Sequence, residues 1–167
     1  MRILGIDPGY GTIGFGAVAY NGYRFEAGEY GAIKTPPGLD FPIRLRMIYD
    51  EMTALLKRTI PDAMSVEQLF FTKNVTTGID VAQARGVILL AANQAGVPVF
   101  QYTPVQVKQS VVGYGKAEKA QVMEMTRRLL SLKEVPRPDD TADALAVAIC
   151  HAHNASSKLT QSFLKLR

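Results

Sequence analysis

The first third of the chain has the apolar runs and turn signals of β-strands. Residues 2–7 form a short apolar run that stops at Pro8-Gly9, which predicts a buried strand followed by a turn. Residues 12–20 mix apolar side chains with glycines, and Asn21-Gly22 predicts a hairpin with a type I′ turn. Residues 23–33 predict the returning strand. The chain is therefore expected to open with three antiparallel strands.

The rest of the chain alternates between helical and strand-like patterns. Apolar residues at i, i+3, i+4 and i+7 between positions 45 and 56 predict an amphipathic helix, with Asp40 as a candidate N-cap. A second helix is predicted over 77–95, and because its centre is apolar all round, we expect it to be buried on more than one side. The other predicted elements are strands over 64–71 and 97–102, a C′ glycine at Gly96, a short helix starting at Thr103-Pro104, a flexible loop over 111–115, a helix over 116–130 and an alanine-rich helix after residues 137–140.

This order of elements predicts an α/β fold. The sheet is expected to be mixed and five-stranded, with three antiparallel strands followed by parallel ones, and to be flanked by helices. A length of 167 residues suits one domain with a single core. We expect residues 1–153 to form that domain and the weakly patterned residues 154–167 to form a frayed or disordered tail.

Charge and composition narrow the class of protein only slightly. The formal net charge of +4 and the sequence pI of about 9.2 hint at a polyanionic partner. No apolar run approaches the roughly 18 residues that a membrane span needs, and the first thirty residues do not resemble a signal peptide. The single cysteine, Cys150, excludes an internal disulfide. These features predict a cytoplasmic protein with no membrane partner.

Two carboxylates stand in strand-like sequence. Asp7 ends the first predicted strand, where it loses hydration and needs compensation, although aspartate also caps turns through its own backbone. Glu67 interrupts an apolar strand, and glutamate is depleted in strands. A solvent-facing place on an edge strand would explain Glu67 without any function, whereas a central strand would require a partner or a metal ion.

A third acidic group precedes the last predicted helix. Asp140 and Asp143 are spaced i, i+3, so they lie on one face of the helix. Capping and the helix dipole favour acids at this end, which explains Asp139 or Asp140 but not Asp143 beside a buried alanine-rich segment. Asp139, four residues before Asp143, could replace Asp140 geometrically.

The three acidic groups together predict a divalent metal site. Clustered carboxylates raise one another's pKa values, and a bound Mg²⁺ relieves that repulsion with the oxygen ligands it prefers. Two such ions roughly 4 Å apart are the known arrangement for phosphodiester hydrolysis. We therefore expect two Mg²⁺ per subunit, with Mn²⁺ as a possible substitute. The spacing of Cys150, His151 and His153 matches no structural zinc site.

Five segments of the chain carry a resemblance to a known family. They resemble, in order and without large gaps over residues 1–153, the RuvC-type Holliday-junction resolvases of bacteria. The segments are Gly-Ile-Asp-Pro-Gly at 5–9, Val-Glu-Gln-Leu-Phe-Phe at 66–71, Pro-Val-Gln-Val-Lys at 104–108, Val-Val-Gly-Tyr-Gly-Lys-Ala-Glu-Lys at 111–119 and Asp-Thr-Ala-Asp-Ala-Leu-Ala at 140–146.

The resemblance implies a ribonuclease H-like fold and a structure-selective endonuclease. Such an enzyme acts as a homodimer that makes symmetric paired nicks in four-way DNA junctions during recombination and repair. Hydrolysis with two metal ions would leave 5′-phosphate and 3′-hydroxyl ends. The family also implies a partnership with the branch-migration complex RuvA–RuvB.

The resemblance also assigns expected roles to particular residues. By this resemblance, Asp7, Glu67, Asp140 and Asp143 are expected to be the metal-binding catalytic carboxylates, and some family members have histidine at the position of Asp140. Phe70 is expected to stack against bases at the crossover, and Lys108 and Lys119 are expected to approach DNA near the scissile phosphate. Without the resemblance, Phe70 would more often be a core residue and the two lysines solvated helix-surface charges.

The expected mechanism has water attack phosphorus in line, with no covalent enzyme intermediate. The second predicted helix, because it is apolar all round, is the candidate dimer interface.

Three alternatives stay open at this point: an actin-like ATPase or sugar kinase, a resolvase-like RNA-processing nuclease, and an inert junction-binding protein. A phosphate-binding kinase normally needs two lobes of this kind, and 167 residues provide one.

Overall fold

The computed structural model describes residues 1–69 and 75–155. Its centre is one five-stranded sheet with the strand order β3-β2-β1-β4-β5. Neighbours β1, β2 and β3 pair antiparallel, whereas β1–β4 and β4–β5 pair parallel, which confirms the predicted mixed sheet. The strands are β1 (Arg2–Asp7), β2 (Thr12–Tyr20), β3 (Phe25–Lys34), β4 (Ala63–Glu67) and β5 (Val99–Tyr102).

Helices cover both faces of the sheet. Successive β-strand residues point to opposite faces, so Ile3 joins one core cluster and Leu4 joins the other. The cluster of Leu4 is completed by α1 and α2, and that of Ile3 by α3, α4 and α5. The helices are α1 (Phe41–Thr59), α2 (Val75–Gln94), α3 (Pro104–Val112), α4 (Lys119–Leu129) and α5 (Asp139–Ala155).

Most helix boundaries follow local signals in the sequence. Thr103 caps α3 through a reciprocal pair of hydrogen bonds with Gln106, and Gly96 has the positive φ of a C′ residue, 70°, as predicted. Asp40 occupies the N-cap position of α1 but makes no side-chain cap hydrogen bond. The predicted helix over 116–130 begins only at Lys119, because Glu118 and Gln121 form a capping box there.

The predicted type I′ hairpin turn is wrong. That turn needs a positive φ at both central residues, and only Gly22 of the pair has one, at 100°. The connection instead spans residues 21–24. The side chain of Asn21 accepts hydrogen bonds from the backbone N–H groups of Tyr23 and Arg24, at 3.0 and 2.9 Å. The asparagine therefore organises the loop through its side chain rather than through a left-handed backbone.

Four other predictions need revision or fall, wholly or in part, outside the described residues. The second helix is buried on one face only within the single chain, since Ile79 and Leu90 are 52% and 50% exposed. Strand β4 ends at Glu67 rather than continuing to residue 71, and Phe70 lies outside the described residues. Helix α5 includes Asn154 and Ala155, and the rest of the predicted tail, residues 156–167, also lies outside them.

Three strand glycines allow α5 to lie directly on the sheet. A Cβ atom added at Gly5 would stand 2.0 Å from the carbonyl oxygen of Ala144, and one added at Gly16 would stand 2.5 Å from Cδ2 of Leu145. At Gly14 the added atom would meet the carbonyl oxygen of Asp140 at 1.9 Å. Glycine in a strand marks such a close approach of another backbone. These glycines therefore fix the distance between α5 and strands β1 and β2.

The helices in the described ranges lack the combination of length and apolar character that a membrane span requires.

Candidate active site

The first two predicted site residues end adjacent strands of the sheet. Ile6 pairs with Val66 in the parallel β1–β4 ladder, so Asp7 and Glu67 follow the last pair on neighbouring strands, which run about 4.8 Å apart. Strand β4 lies between β1 and β5. A solvent-facing edge position for Glu67 is therefore wrong, and the carboxylate is half-buried at the carboxyl edge of the sheet.

Helix α5 brings its N-terminal acids to the same edge. Gly14 pairs with Asp7 across β1 and β2, and its missing side chain admits the backbone of Asp140. Asp143 follows one turn later. It is the one residue between 141 and 152 that is not buried. Four carboxylates from three distant parts of the chain thus lie at one edge of the sheet.

The pKa values of the carboxylates reflect their burial and their mutual repulsion. Burial, as the largest cause, and the negative charges of Glu67, Asp143 and Asp140 together raise the pKa of Asp7 to about 8. Burial also raises the pKa of Glu67 to about 7, with a contribution from Asp143. The pKa of Asp143 is raised by burial too, although a hydrogen bond from Lys119 opposes the shift. The electrostatic conflict expected of a carboxylate cluster is therefore present.

The neighbouring Asp139 has a different set of partners from Asp140. It pairs with Arg137 and lies 3.7 Å from Nζ of Lys119. Asp140, by contrast, is one of the charges that raise the pKa of Asp7. This arrangement places Asp140 rather than Asp139 toward the acid at the end of β1.

Two of the predicted DNA-binding residues adjoin the carboxylates. Nζ of Lys119 lies 2.9 Å from Asp143, and the positive charges of Lys108 and Lys119 both oppose the raised pKa of Glu67. These groups line a cavity of about 240 Å³. Its lining residues are Glu67, Pro104, Val107, Lys108, Lys119, Val122 and Asp143.

The donor set suits a hard divalent cation. Carboxylate oxygens are the ligands that Mg²⁺ uses, and a cation would relieve the repulsion that raises the pKa values of Asp7 and Glu67. Within residues 1–69 and 75–155, no three acidic, histidine or cysteine side chains form a ready-made metal cage. The ammonium of Lys119 supplies the positive charge next to Asp143 instead. The case for a metal ion therefore rests on the carboxylate oxygens, which are suitable ligands, and on the repulsion between their negative charges.

Two kinds of residue that build this site were not predicted from the sequence. Gly14 and Gly5 set the position of α5. Glycines inside predicted strands could have indicated this close approach of another backbone. Val107 and Val122 form the apolar wall of the cavity, and their helical patterns gave no sign that the two helices face each other.

The fold and the acidic edge together define a nuclease of the ribonuclease H-like class. The chain belongs to the RuvC family, because the family model described as crossover junction endodeoxyribonuclease RuvC matches residues 3–151. This finding confirms the resemblance inferred from the sequence and the predicted class of enzyme, an endodeoxyribonuclease that hydrolyses phosphodiester bonds. The family is one of metal-dependent nucleases.

Individual relatives agree with the family match. A crossover junction endodeoxyribonuclease RuvC of Brevibacillus brevis is 60% identical over 152 residues, covering 91% of this chain and 92% of the relative. One from Desulfitobacterium hafniense is 53% identical over 156 residues, covering 93% of this chain and 94% of the relative.

Solved structures show the same fold. The structure of Thermus thermophilus RuvC in complex with a Holliday junction substrate has a TM-score of 0.93 and 39% identity, covering 99% of both chains. A second structure of that protein has a TM-score of 0.91, 38% identity and coverage of 99% of this chain and 100% of the other. The yeast mitochondrial Holliday junction resolvase Ydc2 shares the fold alone, with a TM-score of 0.66 and 16% identity over 90% of this chain and 77% of the other.

Proposed function

We propose that this chain resolves four-way DNA junctions by symmetric paired nicks that leave 5′-phosphate and 3′-hydroxyl ends, in recombination and repair. The observation that carries the proposal is the convergence of four carboxylates at one edge of the sheet, with two pKa values raised to about 8 and about 7. Membership of the RuvC family and the junction complex of its Thermus relative support the choice of substrate.

Asp7, Glu67, Asp140 and Asp143 would hold two divalent cations, with Mg²⁺ as the expected metal and Mn²⁺ as a substitute. When bound, the metal supplies a water of lowered pKa and stabilises charge on the leaving oxygen. The carboxylates must be ionised to act as ligands, so Asp7 and Glu67 release their protons as the site fills. Their raised pKa values thus make metal affinity increase with pH up to about 8.

Lys108 and Lys119 would hold the scissile phosphate. Both lysines line the same cavity as Glu67 and Asp143, which supports a role for their positive charges in binding phosphate. Lys119 would exchange its ion pair with Asp143 for one with phosphate, leaving that carboxylate free to act as a ligand. Phe70 would stack on bases at the crossover, by resemblance to the family.

The direct test compares a synthetic four-way junction with a linear duplex of equal sequence. Each substrate is incubated with the protein in Mg²⁺, in Mn²⁺ and in EDTA, and the nicks are mapped on denaturing gels. We expect symmetric nicks that are confined to the junction and require a divalent metal. Cleavage of the linear duplex at a similar rate, or cleavage in EDTA, would refute the proposal.

A homodimer would place two active sites on symmetric strands, and α2 supplies a surface for it. The outward face of α2 carries Ile79, Ala82, Gly86 and Leu90, which recur at helical spacing and are exposed. A side chain added at Gly86 would meet nothing within 4 Å in the single chain. A second copy packed on this face would bury the apolar side that the single chain leaves open.

Replacing Leu90 with glutamate is expected to break the dimer without unfolding the subunit. Full burial of a leucine side chain contributes about 2 kcal/mol, and about 1.4 kcal/mol is tenfold in affinity, so we expect dimerisation to weaken by about 30-fold or more. Sedimentation velocity measures the change. The matched control is Ile43→Glu on α1, since Ile43 is 48% exposed and Leu90 is 50% exposed.

Paired nicking should fail together with dimerisation. We expect Leu90→Glu to leave uncoordinated single nicks at concentrations where Ile43→Glu still gives resolved products. If Leu90→Glu stays dimeric, the interface lies elsewhere on the molecule.

The family also motivates a proposed partnership with the branch-migration complex RuvA–RuvB. We expect purified RuvA and RuvB to increase the rate of junction resolution by this protein in the presence of ATP. An unchanged rate with an active branch-migration complex would argue against the partnership.

A further inference from the structure

The loop that follows Asp7 is a tight turn with an external clamp. Residues 8–11 connect β1 to β2, and a Cβ atom added at Gly9 would stand 2.1 Å from the carbonyl oxygen of Thr12. The turn therefore has no room for a side chain at Gly9. Because the chain passes directly from Asp7 into this turn, a shift of the turn moves the carboxylate.

Arg44, near the start of α1, holds this turn from the side. Its Nε donates to the hydroxyl of Thr35 at 2.9 Å, and one terminal nitrogen donates to the carbonyl oxygens of Tyr10 at 3.2 Å and Thr35 at 3.5 Å. The guanidinium also lies over the Tyr10 ring, 4.7 Å from its centroid. One side chain thus contacts both the backbone and the ring of Tyr10.

Thr35 completes the clamp from the end of β3. The residue is only 4% exposed, and its hydroxyl donates to the carbonyl oxygen of Tyr10 at 2.5 Å. Its backbone N–H donates to the carbonyl oxygen of Gly11 at 3.0 Å. The turn is therefore attached both to a strand end and to a helix start.

The geometry of the clamp calls for arginine. The planar guanidinium reaches three acceptors with fixed spacing while one face stacks on an aromatic ring, which the point charge of lysine does not reproduce. The acceptors that Arg44 meets are a hydroxyl and two carbonyl oxygens, so these contacts leave its positive charge unneutralised. A group committed to several hydrogen bonds with a turn is suited to hold the turn in place.

We propose that Arg44 is a positioning residue for the reaction: through Thr35 and Tyr10 it fixes the turn after β1 and hence the orientation of the Asp7 carboxylate. The inference rests on the proposed function, in which Asp7 belongs to the catalytic set. It assigns Arg44 to chemistry rather than to DNA binding, and these two roles predict opposite kinetic results.

The test separates cleavage rate from junction affinity in three variants. Arg44→Gln removes the guanidinium group. Thr35→Val removes the hydroxyl that links Arg44 to Tyr10, while it keeps the charge of Arg44 and the approximate shape of the threonine. Arg44→Lys keeps only the positive charge at position 44. Residues that orient a ligating or catalytic group typically contribute about 10- to 100-fold to activity. We expect a loss of that size in the single-turnover rate at saturating protein for the first two variants, and only partial recovery in Arg44→Lys.

Junction affinity, measured in EDTA, should stay within about twofold of wild type, since the clamp contacts protein rather than phosphate. The matched control is Arg58→Gln. Arg58 lies on the same helix as Arg44 and forms an ion pair with Glu29 at 2.9 Å. This control should leave rate and affinity unchanged. Melting temperatures establish that each variant is folded, and Thr35→Val decides the matter if Arg44→Gln does not fold.

One result would overturn the inference: Arg44→Gln weakens junction binding, and the salt dependence of that binding falls by about one released counterion, while the single-turnover cleavage rate at saturating protein stays at the wild-type value. Wild-type rates in both Arg44→Gln and Thr35→Val would overturn it as well. An inactive wild-type protein would instead refute the proposed function, so the two failures are distinguishable.

Discussion

Replacing Asp7 with asparagine is expected to abolish cleavage and, at the same time, to stabilise the metal-free protein. A metal ion contributes several kcal/mol of charge stabilisation in such reactions, and about 1.4 kcal/mol is tenfold in rate, so we expect the cleavage rate to fall by about 1000-fold or more. Junction binding should persist, because the substitution leaves Lys108 and Lys119 in place. Gel mobility shifts in EDTA and mapped nicks in Mg²⁺ measure the two properties.

The stabilising effect follows from the raised pKa of Asp7. The unfolded chain ionises this carboxyl near its ordinary value of 3.8, whereas the folded protein holds the proton until about pH 8. Between these values the folded state binds more protons than the unfolded state, so this group makes stability fall as the pH rises. Asparagine removes the titrating group, and the difference in stability should therefore be larger at pH 8 than at pH 5.

Thermal melts of the metal-free protein at the two pH values provide the measurement, and a chain of this size gains about 2–4 °C for each kcal/mol. The control is Asp50→Asn, since Asp50 forms an exposed ion pair with Arg46, and it should show no comparable pH-dependent gain. A melting temperature for Asp7→Asn that is lower than wild type at pH 8 would contradict the proposed electrostatic conflict.

Replacing Gly14 with alanine is expected to damage both stability and activity. The new methyl group would stand 1.9 Å from the carbonyl oxygen of Asp140, a distance that requires α5 to move away from the sheet. Overpacking of this kind costs about 1–3 kcal/mol, and a displacement of about 1 Å in a catalytic group costs about 100-fold in rate. Thermal melts and single-turnover cleavage at saturating protein measure the two effects.

Gly11→Ala is the matched control for the effect of this substitution on stability. A Cβ atom there would make ordinary contact, 3.4 Å from the far end of Arg44, so its stability should remain near wild type. If Gly14→Ala matches Gly11→Ala in melting temperature, α5 does not lie on β2 as described. If it is destabilised but cleaves at the wild-type rate, the position of Asp140 is not important for catalysis.

Local chemistry made much of the fold predictable from the sequence. The strand starting at Arg2, the cap at Thr103 and the left-handed Gly96 all follow from signals within a few residues. The hairpin formed as predicted, but the predicted type I′ turn was wrong, because the Asn21 side chain competes with the backbone for the same hydrogen bonds. Strand β4 was predicted too long because the apolar pattern continues past Glu67, while pairing with β5 stops at that residue.

The site was predictable as a set of residue types but not as a geometry. An acid at the end of β1 and another in β4 stand out because carboxylates are rare in such places. Whether Asp139 or Asp140 faces Asp7 depends on which residue of α5 lies against β2. In the structure Asp140 lies against Gly14, a contact between residues 126 positions apart (140 − 14), and no local pattern encodes it. The clamp on Tyr10 depends equally on a register between β3 and α1 that hydrophobic periodicity does not specify.

Because α5 is buried, the stability of the active site is tied to the stability of the whole domain. From Thr141 to Ala152 every residue except Asp143 is buried, so the amide protons of residues 144–152 should exchange with solvent only when the domain opens globally. Two of the four proposed ligands reside on this helix. Partial melting of the periphery would therefore leave them in place, and heat inactivation should coincide with cooperative denaturation rather than precede it.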